Sequence, residues 1–394
     1  MSRATNESAR TAGTASQRWL GLAAVFAAGA IVTMLSGLVW PLLSFRLEAM
    51  GYSGGAIGLS TAAQALAIIL IAPLAPRLAR RVGVVRLMLV AVVGAAVVLA
   101  AMAAWPSYGA WLVLRFALGI AIEILFVLGD AWVVQMAPDH ARGRVVGLYA
   151  AFGFLGFAGG PLIIDAVGSR GATPFLAGIG CIALAGLPLW LARRAGPVLG
   201  PPGSGNLAGY LRATPTIMLA GAMYGFIDVM VLALFPVYAL RSGLEEGAIA
   251  RLITMAVLGS IAFQVVIGWL CDRVSPYRVL AGCTLSALGC VLALPFTIGT
   301  TMLVLVVLVL WGGAMGGFFT VGMVLMGQRY TGADLIGASG MFAVMFGLGS
   351  MVGPVAGGAA MDLWDPHGMV AVVALVCASY LIVLGFSRAR RMML

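Results

Sequence analysis

Residues 147–161 read GLYAAFGFLGFAGGP, and residues 340–354 read GMFAVMFGLGSMVGP. Each stretch has a glycine, eight residues, a glycine, three residues and then Gly-Pro. The paired positions Gly147/Gly340, Gly156/Gly349, Gly160/Gly353 and Pro161/Pro354 all stand 193 apart (340 − 147). Neither stretch carries a charge. A continuous uncharged apolar run reads as a membrane helix, and its recurrence reads as a duplicated bundle. Other echoes stand at nearly the same offset. Gln135 and Gln328 are also 193 apart, and Gly55-Ala56-Ile57 reappears as Gly247-Ala248-Ile249. The segment Ala72-Pro-Leu-Ala-Pro76-Arg77 aligns with Gly268-Trp-Leu-Cys-Asp272-Arg273 at an offset of 196. Matches in order at a near-constant spacing point to a parallel duplication of six helices.

The rest of the chain has the same character. Of its 394 residues 62% are hydrophobic and only 9% charged, with a mean hydropathy of +1.08. A soluble domain carries about 25% charged residues, so this chain cannot solvate a globular surface. That excludes a soluble enzyme, a nucleic-acid-binding domain and a disordered protein. Uninterrupted runs also exclude a membrane β-barrel, whose strands alternate over about ten residues. The expected fold is an all-α membrane protein with twelve transmembrane helices in two six-helix bundles. Breaks at Arg, Pro, Gly and Asp place the helices near 19–43, 55–76, 84–104, 110–135, 145–164, 174–192, 214–239, 248–270, 278–297, 301–327, 336–360 and 368–387. The first run, Trp19 to Phe45, exceeds the core of a signal peptide (about 7–15 residues) and is expected to stay as a membrane helix. The longest connection, RRAGPVLGPPGSGNLAGYLR (193–212), is rich in Pro and Gly. The expected organisation is a tail 1–18, a first bundle 19–192, a linker 193–213, a second bundle 214–387 and a tail 388–394.

The net charge of +10 comes without any lysine: all 23 basic residues are arginine. On alternate connections 18 fall on one side and four (Arg46, Arg170, Arg241, Arg251) on the other, with Arg115 inside a helix. The positive-inside rule then places both termini in the cytoplasm of a multi-pass protein of the inner (cytoplasmic) membrane. Clusters such as Arg77, Arg80, Arg81 and Arg193, Arg194 read as topology determinants and lipid-headgroup contacts, not as a nucleic-acid patch. The five cysteines form no CxxC pair, and His140 and His367 lie in connections, so neither a metal site nor a cofactor is expected.

The chain resembles the major facilitator superfamily over nearly its whole length: six plus six helices, cytoplasmic termini and a long central loop. Gly268-x-x-x-Asp272-Arg273 resembles that family's G-x-x-x-D-R loop, and Arg115-x-x-x-Gly119 its R-x-x-x-G element. Gly147 to Pro161 resembles its fifth-helix antiporter motif, and Asp139-His140-Ala141-Arg142-Gly143 its acidic-then-Arg-Gly loop. The first-half 2–3 loop departs from the pattern, with Pro76 in place of Asp and Ala72 in place of Gly; Asp272-Arg273 is the fuller copy. The resemblance implies a secondary transporter working by alternating access.

Charged groups at membrane depth are costly and mark function or a buried partner. Four stand out: Arg115, Glu123 and Asp130 in the fourth helix and Asp228 in the seventh. Glu123 and Asp130, seven apart, share nearly one face about 10 Å apart along the axis. Either carboxyl can take up and release a proton in a cavity, or be held inertly by neighbours. Arg115 lies about 12 Å from Glu123 and turned away from it, so its partner is on another helix or is the substrate. Asp228, one turn after Tyr224, is placed to meet a ligand or proton at the midplane, or to bond a neighbouring helix. Gln64 and Gln264 line the pathway or bond across helices. Trp311, Tyr149 and Phe152 stack on a ligand or simply pack. Gly147, Gly156, Gly160 and Pro161, with their second-half counterparts Gly340, Gly349, Gly353 and Pro354, suit close packing and bending where the halves meet.

These residues lead to a proton-coupled transporter of a small organic solute, cationic or neutral, embedded in the lipid bilayer as a monomer, with export by antiport favoured over uptake of a metabolite or vitamin. The rival expectation is a membrane scaffold or receptor that keeps the fold without transport. A membrane enzyme ranks last, because no nucleophile motif or metal-ligand cluster is present.

Overall fold

The computed structural model describes residues 2–137, 142–193, 196, 207–330 and 332–392. Every element among them is a helix: α1 (Ser2–Ala49), α2 (Gly54–Ile71), α3 (Ala75–Val82), α4 (Val84–Ala104), α5 (Tyr108–Met136), α6 (Arg142–Val167), α7 (Thr173–Leu191), α8 (Leu207–Ala213), α9 (Pro215–Arg241), α10 (Glu246–Arg273), α11 (Pro276–Thr297), α12 (Thr301–Arg329), α13 (Gly332–Leu363) and α14 (Gly368–Met392). Twelve are long and apolar enough to cross a bilayer, α3 and α8 being the exceptions.

Boundaries differ from the sequence expectation where prolines or caps act. The second span stops at Ile71, not near residue 76. Pro73 and Pro76 cannot continue its hydrogen-bond ladder, and Pro76 instead opens the separate short helix α3, which carries Arg77, Arg80 and Arg81. The eighth span runs on to Arg273, so Gly268, Asp272 and Arg273 belong to a helix and not to a loop. The Arg273 guanidinium lies 4.2 Å over the Trp269 ring. The first span runs past residue 43 to Ala49 because nothing before Gly51 breaks it. Gly51 (φ +80) and Gly243 (φ +90) take the left-handed conformation that ends a helix. Beyond them the Tyr52 N–H donates to Leu47 O (3.1 Å) and the Leu244 N–H to Ala239 O (3.0 Å). The first helix of each half thus ends in the same way.

The helices form two six-helix bundles related by a pseudo-twofold axis. In the first, α1 packs on α5, α6 and α7, α2 on α5, and α4 on α5 and α7. In the second, α9 packs on α12, α13 and α14, α10 on α12, and α11 on α12 and α14. Contacts between the bundles obey the same symmetry: α2 meets α13, α10 meets α6, and α1 meets α9 on the axis.

Without a hydrophobic drive inside lipid, such contacts depend on close backbone approach. A Cβ on Gly156 would strike the Ala30 carbonyl, and one on Gly349 the Ala222 carbonyl. Gly160 presses on the backbone of Met34 and Gly37, and Gly353 on that of Phe226. Gly147 and Gly340 face open space, so the outer glycines of the repeated pattern make no such contact. Pro161 and Pro354 lie inside continuous helices. Large side chains such as Leu363 and Phe296 remain exposed on the outside, where lipid would cover them.

Candidate functional site

The central charges lie on α5 and α9. Asp228 is the middle residue of α9 (Pro215–Arg241), and Glu123 lies near the middle of α5. Asp228 and Glu123 are half-buried, and Asp130, one to two turns nearer the end of α5, is exposed. All three lie within membrane-spanning helices. Among the described residues none of the three carboxylates has a hydrogen bond or ion pair.

Aromatic residues stand near Asp130 and Asp228. On the first half, Tyr149 of α6 lies within electrostatic range of Asp130, edge-on to Phe26 at 5.4 Å between centroids. Phe152 meets the same Phe26 ring at 5.8 Å. Small residues make room for the phenol: a Cβ on Gly129 would sit 2.9 Å, and one on Gly29 2.8 Å, from the Tyr149 hydroxyl. On the second half, Tyr224 precedes Asp228 by one turn and tilts against Phe346 (5.1 Å) and Phe319 (6.4 Å). Acidic groups within the spans therefore stand near aromatic side chains. Acids beside aromatic rings are chemically suited to a cationic or polar group on an organic body.

Arg115 behaves otherwise. It is fully buried, and its partners lie on α2: Nε donates to Gln64 Oε1 (3.2 Å) and Nη1 to Ser60 Oγ (3.2 Å). Nη2 is buried without a partner. Among the described residues no carboxylate pairs with the guanidinium. Gln64 is therefore a packing partner of Arg115, itself buried. Gln264 plays a similar part in the second half, donating to Gly316 O (3.4 Å) and accepting from Thr320 of α12. Trp311 is buried in α12. The structure thus sets Tyr149 near Asp130 and places Tyr224 one turn before Asp228, and keeps Arg115, Gln64, Gln264 and Trp311 inside helix contacts. Residues 139–141 of the loop Asp139–Gly143 lie outside the described residues.

Sequence reasoning missed Ser60, although a residue four before Gln64 on a helix shares its face. It also counted Arg241 and Arg251 only for orientation. Arg241 bonds Glu48 through Nε (2.8 Å) and Nη2 (2.9 Å), and Asp365 through Nη1 (2.6 Å). Arg251 pairs with Asp165 at 2.6 Å. Acidic residues at the ends of the first, fifth and eleventh spans, on the same membrane side as these arginines, were the available signal.

Comparison with known proteins supplies the context. The Major Facilitator Superfamily profile matches residues 25–259 and, separately, 217–392. The uncharacterized MFS-type transporter YfkF of Bacillus subtilis is 28% identical over 363 residues, which is 87% of this chain and 89% of that protein. A mutant of the nucleoside transporter NupG superimposes with a TM-score of 0.75 at 15% identity, covering 93% of this chain and 98% of that one. A bacterial homologue of the human lysosomal transporter Spinster, solved in an inward-facing and unoccupied conformation, also gives 0.75 at 14% identity, covering 93% and 94%.

Proposed function

The chain belongs to the Major Facilitator Superfamily, and from that premise we propose that it is a proton-coupled secondary transporter whose two bundles rock about the cavity between α5 and α9. Glu123, Asp130 and Asp228 are the proton-carrying groups, and Tyr149 and Tyr224 flank the solute. The observation that carries this reading is the trio of accessible carboxylates in membrane-spanning helices with no cation beside them among the described residues. Holding a charge at this depth is expensive. Three uncompensated acids are therefore a cost that a purely structural role does not offset. A group that alternately binds a proton and a cationic or neutral organic solute gives each of them a purpose.

The bundles meet through ion pairs at the end that carries the 1–2, 7–8 and 11–12 connections. The arginine distribution makes that end extracytoplasmic, which corresponds to a state sealed to the outside with Asp130 accessible from within. The boundaries 19–192 and 214–387 then delimit the two moving bodies, joined by the linker 193–213. The antiporter-like Gly-Pro pattern of α6 favours export in exchange for protons.

Proteoliposomes under an imposed pH gradient test the reading. Glu123→Gln, Asp130→Asn and Asp228→Asn should each suppress gradient-driven flux of a solute that the native protein moves, while the variants keep its thermal stability. Full flux in all three would remove these carboxylates from the mechanism. A solute library screened by thermal shift supplies the substrate, because a ligand that binds the folded form raises its apparent stability.

A further inference from the structure

The proton-coupled reading leaves one buried charge without a task. Arg115 of α5 is 0% exposed, and its partners on α2, Ser60 and Gln64, are 1% and 4% exposed. A guanidinium carries five N–H donors and keeps its positive charge inside proteins. Two of the five meet acceptors, Gln64 Oε1 and Ser60 Oγ, at 3.2 Å each. The pair on Nη2 meets none, although that nitrogen is closed off from solvent. Both partners are neutral. Each also carries hydrogens of its own, on the Ser60 hydroxyl and on the Gln64 amide. The cluster is therefore rich in donors, poor in acceptors and one positive charge in excess.

Arginines elsewhere in the molecule fare differently. Arg241 meets Glu48 and Asp365, and Arg251 meets Asp165, although both arginines are more exposed than Arg115. Water already supports those two charges, and it does not reach Arg115. The nearest acid on α5 is Glu123, eight residues away and about 12 Å along the axis. A charge withdrawn from water needs a counter-charge in direct contact, because desolvation is costly and a distant partner does not offset it.

Size and charge together define what meets that need. Side chains covered this fully admit an ion and not an organic body. One excess positive charge asks for one negative charge. We propose that Arg115, Ser60 and Gln64 form a site between α2 and α5 for a small monovalent inorganic anion of the chloride class, with Nη2 as its principal donor. The site is close to one end of the span. Tyr108, the first residue of α5, precedes Arg115 by seven residues, about 10 Å along the axis. Its hydroxyl donates to the Ala56 carbonyl of α2 at 2.9 Å. The anion therefore enters from the end that carries the 3–4 connection. Once bound, it neutralises the contact between α2 and α5 and stabilises the first bundle.

Radiolabelled chloride, added to the purified full chain in gluconate buffer at fixed pH and ionic strength, tests the site. Chloride should bind saturably, with a single ion per chain, and be displaced by bromide and nitrate but not by gluconate. Saturating chloride should also raise the melting temperature by about 3 °C. Gln64→Glu sets a carboxylate where Arg115 already bonds and supplies the missing charge from the protein itself. It should abolish chloride binding and make melting independent of chloride. Ser60→Ala removes one polar member and keeps the charge. It should weaken chloride binding about fivefold, and it keeps the proposal testable if the first variant does not fold. No saturable binding to the native protein, or unchanged binding in either variant, overturns the site. Neither readout involves a proton gradient or solute flux, so a failure of this site and a failure of proton coupling remain distinct.

Discussion

The fourth span of the first bundle and its counterpart in the second, α5 and α12, occupy equivalent places and have diverged in chemistry. Gly119 of α5 corresponds to Gly312 of α12, 193 residues later, and both press on the second span of their own bundle. Around that shared contact the similarity ends. Glu123 of α5 has Gly316 as its counterpart, Asp130 has Met323 and Arg115 has Leu308. In place of the charges α12 carries two glycine pairs, Gly312-Gly313 and Gly316-Gly317, which accept Ala256, Phe263, Gln264 and Cys283 at close range. One bundle carries ionisable residues around this contact and the other small residues in close packing. Duplication fixes where helices touch, because packing needs small residues at set spacings. It leaves the positions around those contacts free to differ.

Substitutions can break or sharpen this contrast. The largest effect belongs to the packing helix. In Gly312→Val the new side chain meets the Ala256 carbonyl, a backbone atom that cannot step aside. A loss of about 3 kcal/mol is expected, seen as a sharp fall in the melting temperature of the purified protein. Gly119→Ala meets the Ala67 methyl and the Gln64 carbonyl at 2.9 Å and should cost only about 1 kcal/mol. Equal losses would show that the two contacts are equally rigid.

Next comes the charged helix. Glu123→Gln keeps the shape of the side chain and removes its proton chemistry. Gradient-driven flux should fall at least about a hundredfold with the melting temperature unchanged, as measured in proteoliposomes. Arg115→Leu installs the residue type found at the matching place in α12. Replacing a buried cation that pairs with no carboxylate among the described residues is often neutral, although Gln64 and Ser60 lose their donor. Stability should therefore shift by less than about 2 kcal/mol. If flux also survives, Arg115 is a packing element and the contrast between the helices narrows to the two acids. The smallest effect is expected for Thr320→Val, which removes the hydroxyl that bonds Gln264 in the second bundle. A loss of about 1 kcal/mol with intact flux is expected.

Much of the architecture was legible in one dimension. Span count, fold class and the duplication all follow from apolar runs and from glycines at a fixed offset, because a bilayer imposes one length and one backbone solution on every crossing. Glu123, Asp130 and Asp228 were legible as exceptions to that rule. The finer boundaries were not. Whether Asp272-Arg273 ends a helix or begins a loop depends on local capping, which hydropathy does not register.

The chain alone therefore determined twelve crossings, their pairing into two related sets and the few residues too polar for their surroundings. Only the tertiary structure decided that Arg115 is met by Gln64 and Ser60 and not by an acid, that Asp130 lies near Tyr149, and that Glu48 finds Arg241 across the axis. The physical reason is distance. Periodicity within a helix gives the face on which a side chain lies, but which face of another helix it meets depends on packing between residues far apart in the chain.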